Sequence, residues 1–162
     1  MRRSGWWTRW RALPRWARWT VGGYAALLAW GGGVHVVDLA VGGTGPYPWA
    51  PWWMAAYLVS LTVADPVATV LLLARRRAGM DLACLILVTD AAANGWALYA
   101  LGGGDAVTRV GHATATAVAL GSLVARRALR PHLLPGRAGT DATDLEGRPD
   151  TAANRRRHAP DR

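Results

Sequence analysis

The stretch LTVADPVATVLLLARRR, residues 61–77, decides the fold. It is an apolar run closed by three consecutive arginines, Arg75, Arg76 and Arg77. Such a run reads as the second half of a membrane-spanning helix reaching a cytoplasmic boundary. Asp65 and Pro66 interrupt it at its centre. A charge near a bilayer midplane costs at least about 2.5–3.5 kcal/mol, so Asp65 needs a partner or a purpose. Pro66 adds to the problem, because it lacks the N–H that the Thr62 carbonyl would accept in a regular helix.

Outward from this stretch, four apolar segments approach the roughly 20 residues that a bilayer requires. They cover about 20–41, 52–74, 82–102 and 106–125. The fourth is the most polar, with Arg109, His112 and three threonines. The expected fold is therefore all-α, a four-transmembrane-helix bundle within a single domain of 162 residues. Residues 1–19 form an Arg/Trp-rich interfacial segment, and residues 126–162, poor in apolar side chains and rich in breakers, read as a disordered basic tail. A hydrophobic share of 52% with a mean hydropathy of only +0.10 reflects this division into an apolar block and polar ends.

Arginine placement sets the orientation. All 19 basic residues are arginine; six precede the first span, three follow the second, and Arg126, Arg127, Arg130 and Arg137 follow the fourth. The loops 42–51 and 103–105 carry none, and only Arg109 lies toward the other side. Both termini are thus expected in the cytoplasm. The net charge of +9 then follows from topology, and no nucleic-acid partner is expected. The bias toward Ala, Gly, Arg and Trp, without Lys or Phe, suggests a GC-rich genome and a multi-pass protein of a bacterial inner membrane. The first span resembles a signal peptide at its start, but its apolar run continues past 33 without a clear cleavage site, so it reads as uncleaved.

Tyr47, Trp49, Trp52 and Trp53 mark the outer interface, where such rings favour the headgroup zone. At the other end, Trp6, Trp10, Leu13 and Trp16 share one side of a helical wheel, with Arg11, Arg15 and Arg18 opposite. This is the pattern of an amphipathic helix lying on anionic lipid, interrupted near Pro14. Ala25, Ala29 and Gly33, and likewise Ala113, Ala117, Gly121 and Ala125, form small-residue stripes. They fit either intramolecular packing or a homo-oligomer. The GGG at 31–33 reads as close packing. The lone Cys84 excludes an intramolecular disulfide.

Polar residues inside the spans form a graded series. At about 1.5 Å per residue, Asp65 lies roughly 15 Å from the cytoplasmic edge, Asp90 about 12 Å and Asn94 about 18 Å. His35 and His112 lie higher, and Asp38 and Arg109 near the outside. Asp90 and Asn94 share a helix face, as do His35 and Asp38, and also Arg109, His112 and Thr116. If these faces turn inward, the bundle encloses a polar cavity reached from outside. Structural readings stand beside this: an interfacial Asp38–Arg109 pair, an Asp90–Asn94 hydrogen bond that fixes register, and a neutral Asp65 donating to a freed backbone carbonyl. His35, Asp38 and His112 form a chemically valid metal set, and the two histidines could hold haem, but no local motif supports either. No metal or cofactor is expected.

The pattern YPWAPWW…LVSLTVADPVA…RRRAG…LVTDAAANGWALY resembles small four-helix integral membrane proteins of GC-rich bacteria, which implies the fold but no activity. HVVD, ADP and TDAAAN also resemble the emopamil-binding-protein-like superfamily of sterol isomerases and sterol or drug binders. That resemblance implies a lipophile pocket lined by His35, Asp38, Asp65, Asp90 and Asn94 and closed by the fourth span. Here aspartates stand in place of the family's glutamates, and the His–acid spacing is three rather than four. Three functions follow as expectations: a binder of a small lipophilic ligand, a membrane-embedded isomerase using Asp/His acid–base chemistry, and a proton-coupled transporter or subunit.

Overall fold

The computed structural model describes residues 10–43, 45–102 and 104–135. Within them the chain is all-α. Four long helices, α1 (Arg15–Gly42), α2 (Trp52–Leu73), α3 (Arg77–Ala100) and α4 (Ala106–Leu129), precede a 3-10 turn at Arg130–His132. α1, α2 and α3 are long and apolar enough to cross a membrane. α4 matches them in length with 24 residues, but its arginine, histidine and threonines dilute its apolarity. At the arginine-bearing end the helices outrun the expected spans: α1 starts at Arg15, α3 at Arg77, and α4 continues to Leu129. Arginine is a good helix former, so helical hydrogen bonding runs on where hydropathy stops.

The packed pairs are α1–α2, α2–α3 and α3–α4, so α1 and α4 flank a cleft. Cross-helix contacts show antiparallel neighbours. Tyr57 on α2 meets Ile86 and Thr89 on α3, while Trp53 stacks edge-on against Trp96. On α3 and α4, Cys84 meets Ser122 and Asp81 pairs with Arg126. α2 buries one stripe: Met54, Leu58, Leu61, Asp65, Ala68 and Leu72. Asp65 thus occupies a position at which the helical period calls for an apolar side chain.

α1 opposes that stripe with Ala17, Val21, Ala25, Leu28 and Gly32. A Cβ on Gly32 would lie 3.0 Å from Asp65 Cβ and 3.1 Å from Pro66 Cδ. One on Gly31 would lie 3.0 Å from Asp65 Oδ2. The glycines of GGG therefore bring α1 onto the Asp65–Pro66 step. Gly33 meets nothing within 4 Å. The proposed small-residue stripes are otherwise placed: Ala25 is buried, but Ala29, Gly33, Ala113, Ala117 and Gly121 are exposed. Intramolecular packing runs through Ala25, Gly31 and Gly32, which lie against α2.

The three arginines after α2 do more than mark an edge. Arg75 takes a left-handed conformation, φ 59°. Arg76 N–H bonds to Leu71 O at 2.9 Å and Arg75 N–H to Leu72 O at 2.8 Å, a Schellman cap with arginine at the usual glycine position. The following turn closes so tightly that a Cβ on Gly79 would lie 2.5 Å from Leu72 N. The arginine side chains then gather carbonyls from the chain after α4. Arg75 Nη2 donates to His132 O at 3.0 Å, and Arg77 Nε donates to Arg130 O at 3.0 Å and Leu133 O at 3.2 Å. Leu134 N–H to Arg75 O and Arg77 N–H to Leu134 O complete the clamp. Leu129 and Leu133 are buried beneath it.

Residues 126–135, expected within a disordered tail, are therefore folded, because the arginines satisfy backbone carbonyls there. The tail beyond 135 and Trp6 lie outside the described residues. The helix break at Pro14 is present. Leu13 is buried and Trp10 packs on the core, so this end of the bundle draws in side chains expected to lie on lipid.

Candidate ligand cavity

All four helices contribute to one cavity of about 320 Å³. Its wall is largely apolar, with Leu28 from α1, Leu61 from α2, Ile86 and Leu87 from α3, and Val118 from α4. His35, Asp65 and Asp90, from three different helices, bring ionisable groups to it. Trp30 on α1 and Thr114 and Ala115 on α4 also line it and are exposed, so it reaches the surface along the α1–α4 cleft. Asp38 and Arg109, the groups expected at an outer mouth, are not in its wall.

Asp65 is the most enclosed of the three, at 3% exposed. Its Oδ1 has no hydrogen-bond partner among the described residues, and neither does the nearby Thr62 hydroxyl. The Asp65 carboxyl is held by packing against Gly31 and Gly32, not by donors. Unsatisfied buried oxygens are costly and rare, which marks this position as more than a filler of the bundle. Asp90 is better provided: Asn94 Nδ2 donates to its Oδ1 at 3.0 Å and to its backbone oxygen at 2.9 Å. The i, i+4 pair expected from sequence is thus made, with Asn94 itself exposed beside the cavity wall.

His35 and Asp38 share a face of α1 but do not touch directly. Tyr47, from the loop after α1, stands between them: its hydroxyl is 3.0 Å from His35 Nδ1 and donates to Asp38 Oδ2 at 3.1 Å. The phenol is buried at 8% exposure, with Trp49 edge-on against it at 6.4 Å. Burial first, then the hydrogen bond and charge of Asp38, push the Tyr47 hydroxyl up to about 12. It therefore stays protonated at any physiological pH.

Sequence reasoning placed Tyr47 only as an interfacial ring. A polar-ended aromatic returning toward an HxxD turn after a Gly/Pro loop was the available signal. Tyr57 was also unmarked; its hydroxyl lies 2.8 Å from Thr89 Oγ1 and ties α2 to α3.

The remaining candidates lie elsewhere. Arg109 is exposed near the start of α4 and forms no ion pair among the described residues. The expected Asp38–Arg109 pair does not form, since Asp38 is engaged by Tyr47. His112 sits in the α3–α4 seam. A Cβ on Gly95 would come within 2.8 Å of its Cε1, and Tyr99 stands edge-on at 5.8 Å. It keeps the expected company of Thr116, whose hydroxyl is 3.5 Å from Nε2. Among the described residues no group of three His, Cys, Asp or Glu side chains is placed to hold a metal. No family model, no curated protein and no solved structure matches this chain.

Proposed function

We propose that the chain is an integral membrane protein that binds a small lipophilic ligand in this cavity, with Asp65 as its principal polar anchor. The observation that carries the reading is the unpartnered Asp65 carboxyl in the wall of a largely apolar cavity. A ligand with one polar end could meet the Asp65 carboxyl where it borders the cavity and cover the apolar wall at once. Access along the α1–α4 cleft suits a molecule dissolved in the bilayer.

The exterior supports a lipid setting. Trp30, Val63, Val70, Leu85 and Val124 are each more than half exposed, and together they come from all four helices. A water-soluble monomer seldom exposes so broad an apolar surface. In the lipid reading α4 is the fourth span, its polar His112 and Thr116 turned to α3 and Arg109 close enough to the end to reach the headgroups. Arginines gather at one end of the bundle, at Arg15, Arg75–Arg77 and Arg126–Arg130. Trp49, Trp52, Trp96 and Tyr99 gather at the other. This polarity favours both termini in the cytoplasm of a bacterial inner membrane.

Native mass spectrometry of the protein extracted in mild detergent tests the proposal. A stoichiometric small-molecule adduct is expected on the wild type and absent from Asp65→Ala, which removes both carboxyl oxygens. A wild type without adduct, or an adduct indifferent to Asp65→Ala, refutes it.

A further inference from the structure

The Tyr47 hydroxyl has one proton and two neighbours. Asp38, as a carboxylate, only accepts, so that proton goes to Asp38 Oδ2 at 3.1 Å. The oxygen then faces His35 Nδ1 at 3.0 Å with only lone pairs to offer. A neutral imidazole can meet it only by placing its own proton on Nδ1. The alternative sets two lone pairs against each other, or takes the proton away from Asp38. Free histidine side chains favour the opposite tautomer, so the contact selects against the default.

Tyr47 is well placed to enforce this choice. The chain leaves α1 through Gly43 in a left-handed conformation, φ 60°, and Pro46 presses back on Gly42. Ala50 N–H closes a turn onto Tyr47 O at 3.1 Å. The ring is therefore held by loop geometry and core packing, independently of the hydrogen bonds it makes.

We infer that Tyr47 is a positioning residue that locks His35 as the Nδ1–H tautomer, so that the cavity is offered an unprotonated Nε2 and the polar end of its ligand is a hydrogen-bond donor. This rests on the ligand reading above for its second half only; the tautomer stands on the relay geometry. Asp65 and Asp90 offer carboxyl oxygens, and the Thr114 hydroxyl already donates to Val110 O at 2.9 Å. Trp30 brings an indole N–H, but at the mouth. The titratable groups around His35 are Asp38 on its own helix, Tyr47 on the loop, Asp65 on α2 and Asp90 on α3; α4 adds none to the wall. A hydroxyl or an amine can donate to the Nε2 lone pair, and a ketone, ester or ether cannot.

Nitrogen NMR on 15N-histidine-labelled protein in micelles decides the matter, with His35→Gln assigning the resonances. In the wild type, Nδ1 of His35 should carry the proton and Nε2 should show the shift of an unprotonated nitrogen. In Tyr47→Phe, which removes only the hydroxyl, both nitrogens should move toward each other as the proton redistributes, while His112 stays unchanged. A wild-type proton on Nε2, or the same tautomer in Tyr47→Phe, overturns the inference, and the wild-type spectrum alone suffices if the variant fails to fold. Octanol titrated into the wild type should shift Nε2 toward the protonated value, and octyl methyl ether should not. Equal shifts with both overturn the donor requirement. Absence of a shift with either overturns the ligand reading and the donor requirement with it, while the tautomer is still judged by its own resonances.

Discussion

Replacing Gly32 by alanine tests the α1–α2 crossing on which the placement of Asp65 depends. The new methyl would sit 3.0 Å from Asp65 Cβ and 3.1 Å from Pro66 Cδ. Carbon atoms prefer about 3.5–4.0 Å, so both contacts fall short by roughly half an ångström. Neither atom can swing away: one is fixed to the backbone, the other to the proline ring. The helices must part, at an overpacking cost of about 1–3 kcal/mol. Alanine returns roughly 0.5–1 kcal/mol of helix preference over glycine, which leaves Gly32→Ala destabilising. Gly33→Ala receives the same preference and meets no atom within 4 Å, so it should stabilise. Adjacent, chemically identical substitutions should therefore move stability in opposite directions. Thermal unfolding in micelles, followed by circular dichroism and by maleimide reaction of the buried Cys84, reads both. Equal shifts of the same sign in the two variants would show that α1 does not press on the Asp65–Pro66 step.

The helices were legible because their causes are local. Apolar runs and arginine clusters placed all four to within five residues at each end. Asp65 was legible as an anomaly for the same reason, since a carboxylate in an apolar stripe stands out in one dimension. The partners of the polar groups were not legible. Sequence offered only Arg109 as a partner for Asp38, whereas Tyr47 takes that place, brought there by a loop that turns back at Gly43 and Pro46. Which small residues carry the packing was likewise hidden. The spacing of Ala113, Ala117 and Gly121 is as regular as any packed seam, yet these residues face outward, while Gly31 and Gly32 lie against α2. The arginines after α2 have two sufficient explanations, topology and carbonyl binding, and sequence displays only the first.

Those two roles can be separated. Arg77→Lys keeps the charge but loses the Nε–H that bonds Arg130 O and Leu133 O, so it should loosen the segment after α4 by about 1 kcal/mol without changing orientation. Faster thermolysin cleavage at Leu133–Leu134 would register the loss, and an unchanged rate would reduce the clamp to a topological charge. Asp81 and Arg126 pair at 2.5 Å with their side chains only half-buried, so Asp81→Asn should cost no more than about 1 kcal/mol and should matter less as salt is added. A large, salt-insensitive loss of thermal stability would contradict that. Asp105 carries a pH prediction. Its Oδ1 accepts from Thr108 N–H at 2.9 Å and Thr108 Oγ1 at 2.8 Å, capping α4. These bonds hold its carboxyl below the usual range. An acid with a lowered folded pKa stabilises fully above its unfolded value, about 4, and loses that contribution as pH falls through the folded value. The first turn of α4 should therefore fray only in acid, seen as loss of protection at the Thr108 amide. Asparagine caps equally well and does not titrate in this range, so Asp105→Asn should hold that turn through the same descent. If the asparagine variant frays over the same pH interval, the acid lability belongs to another group and the cap is not its cause.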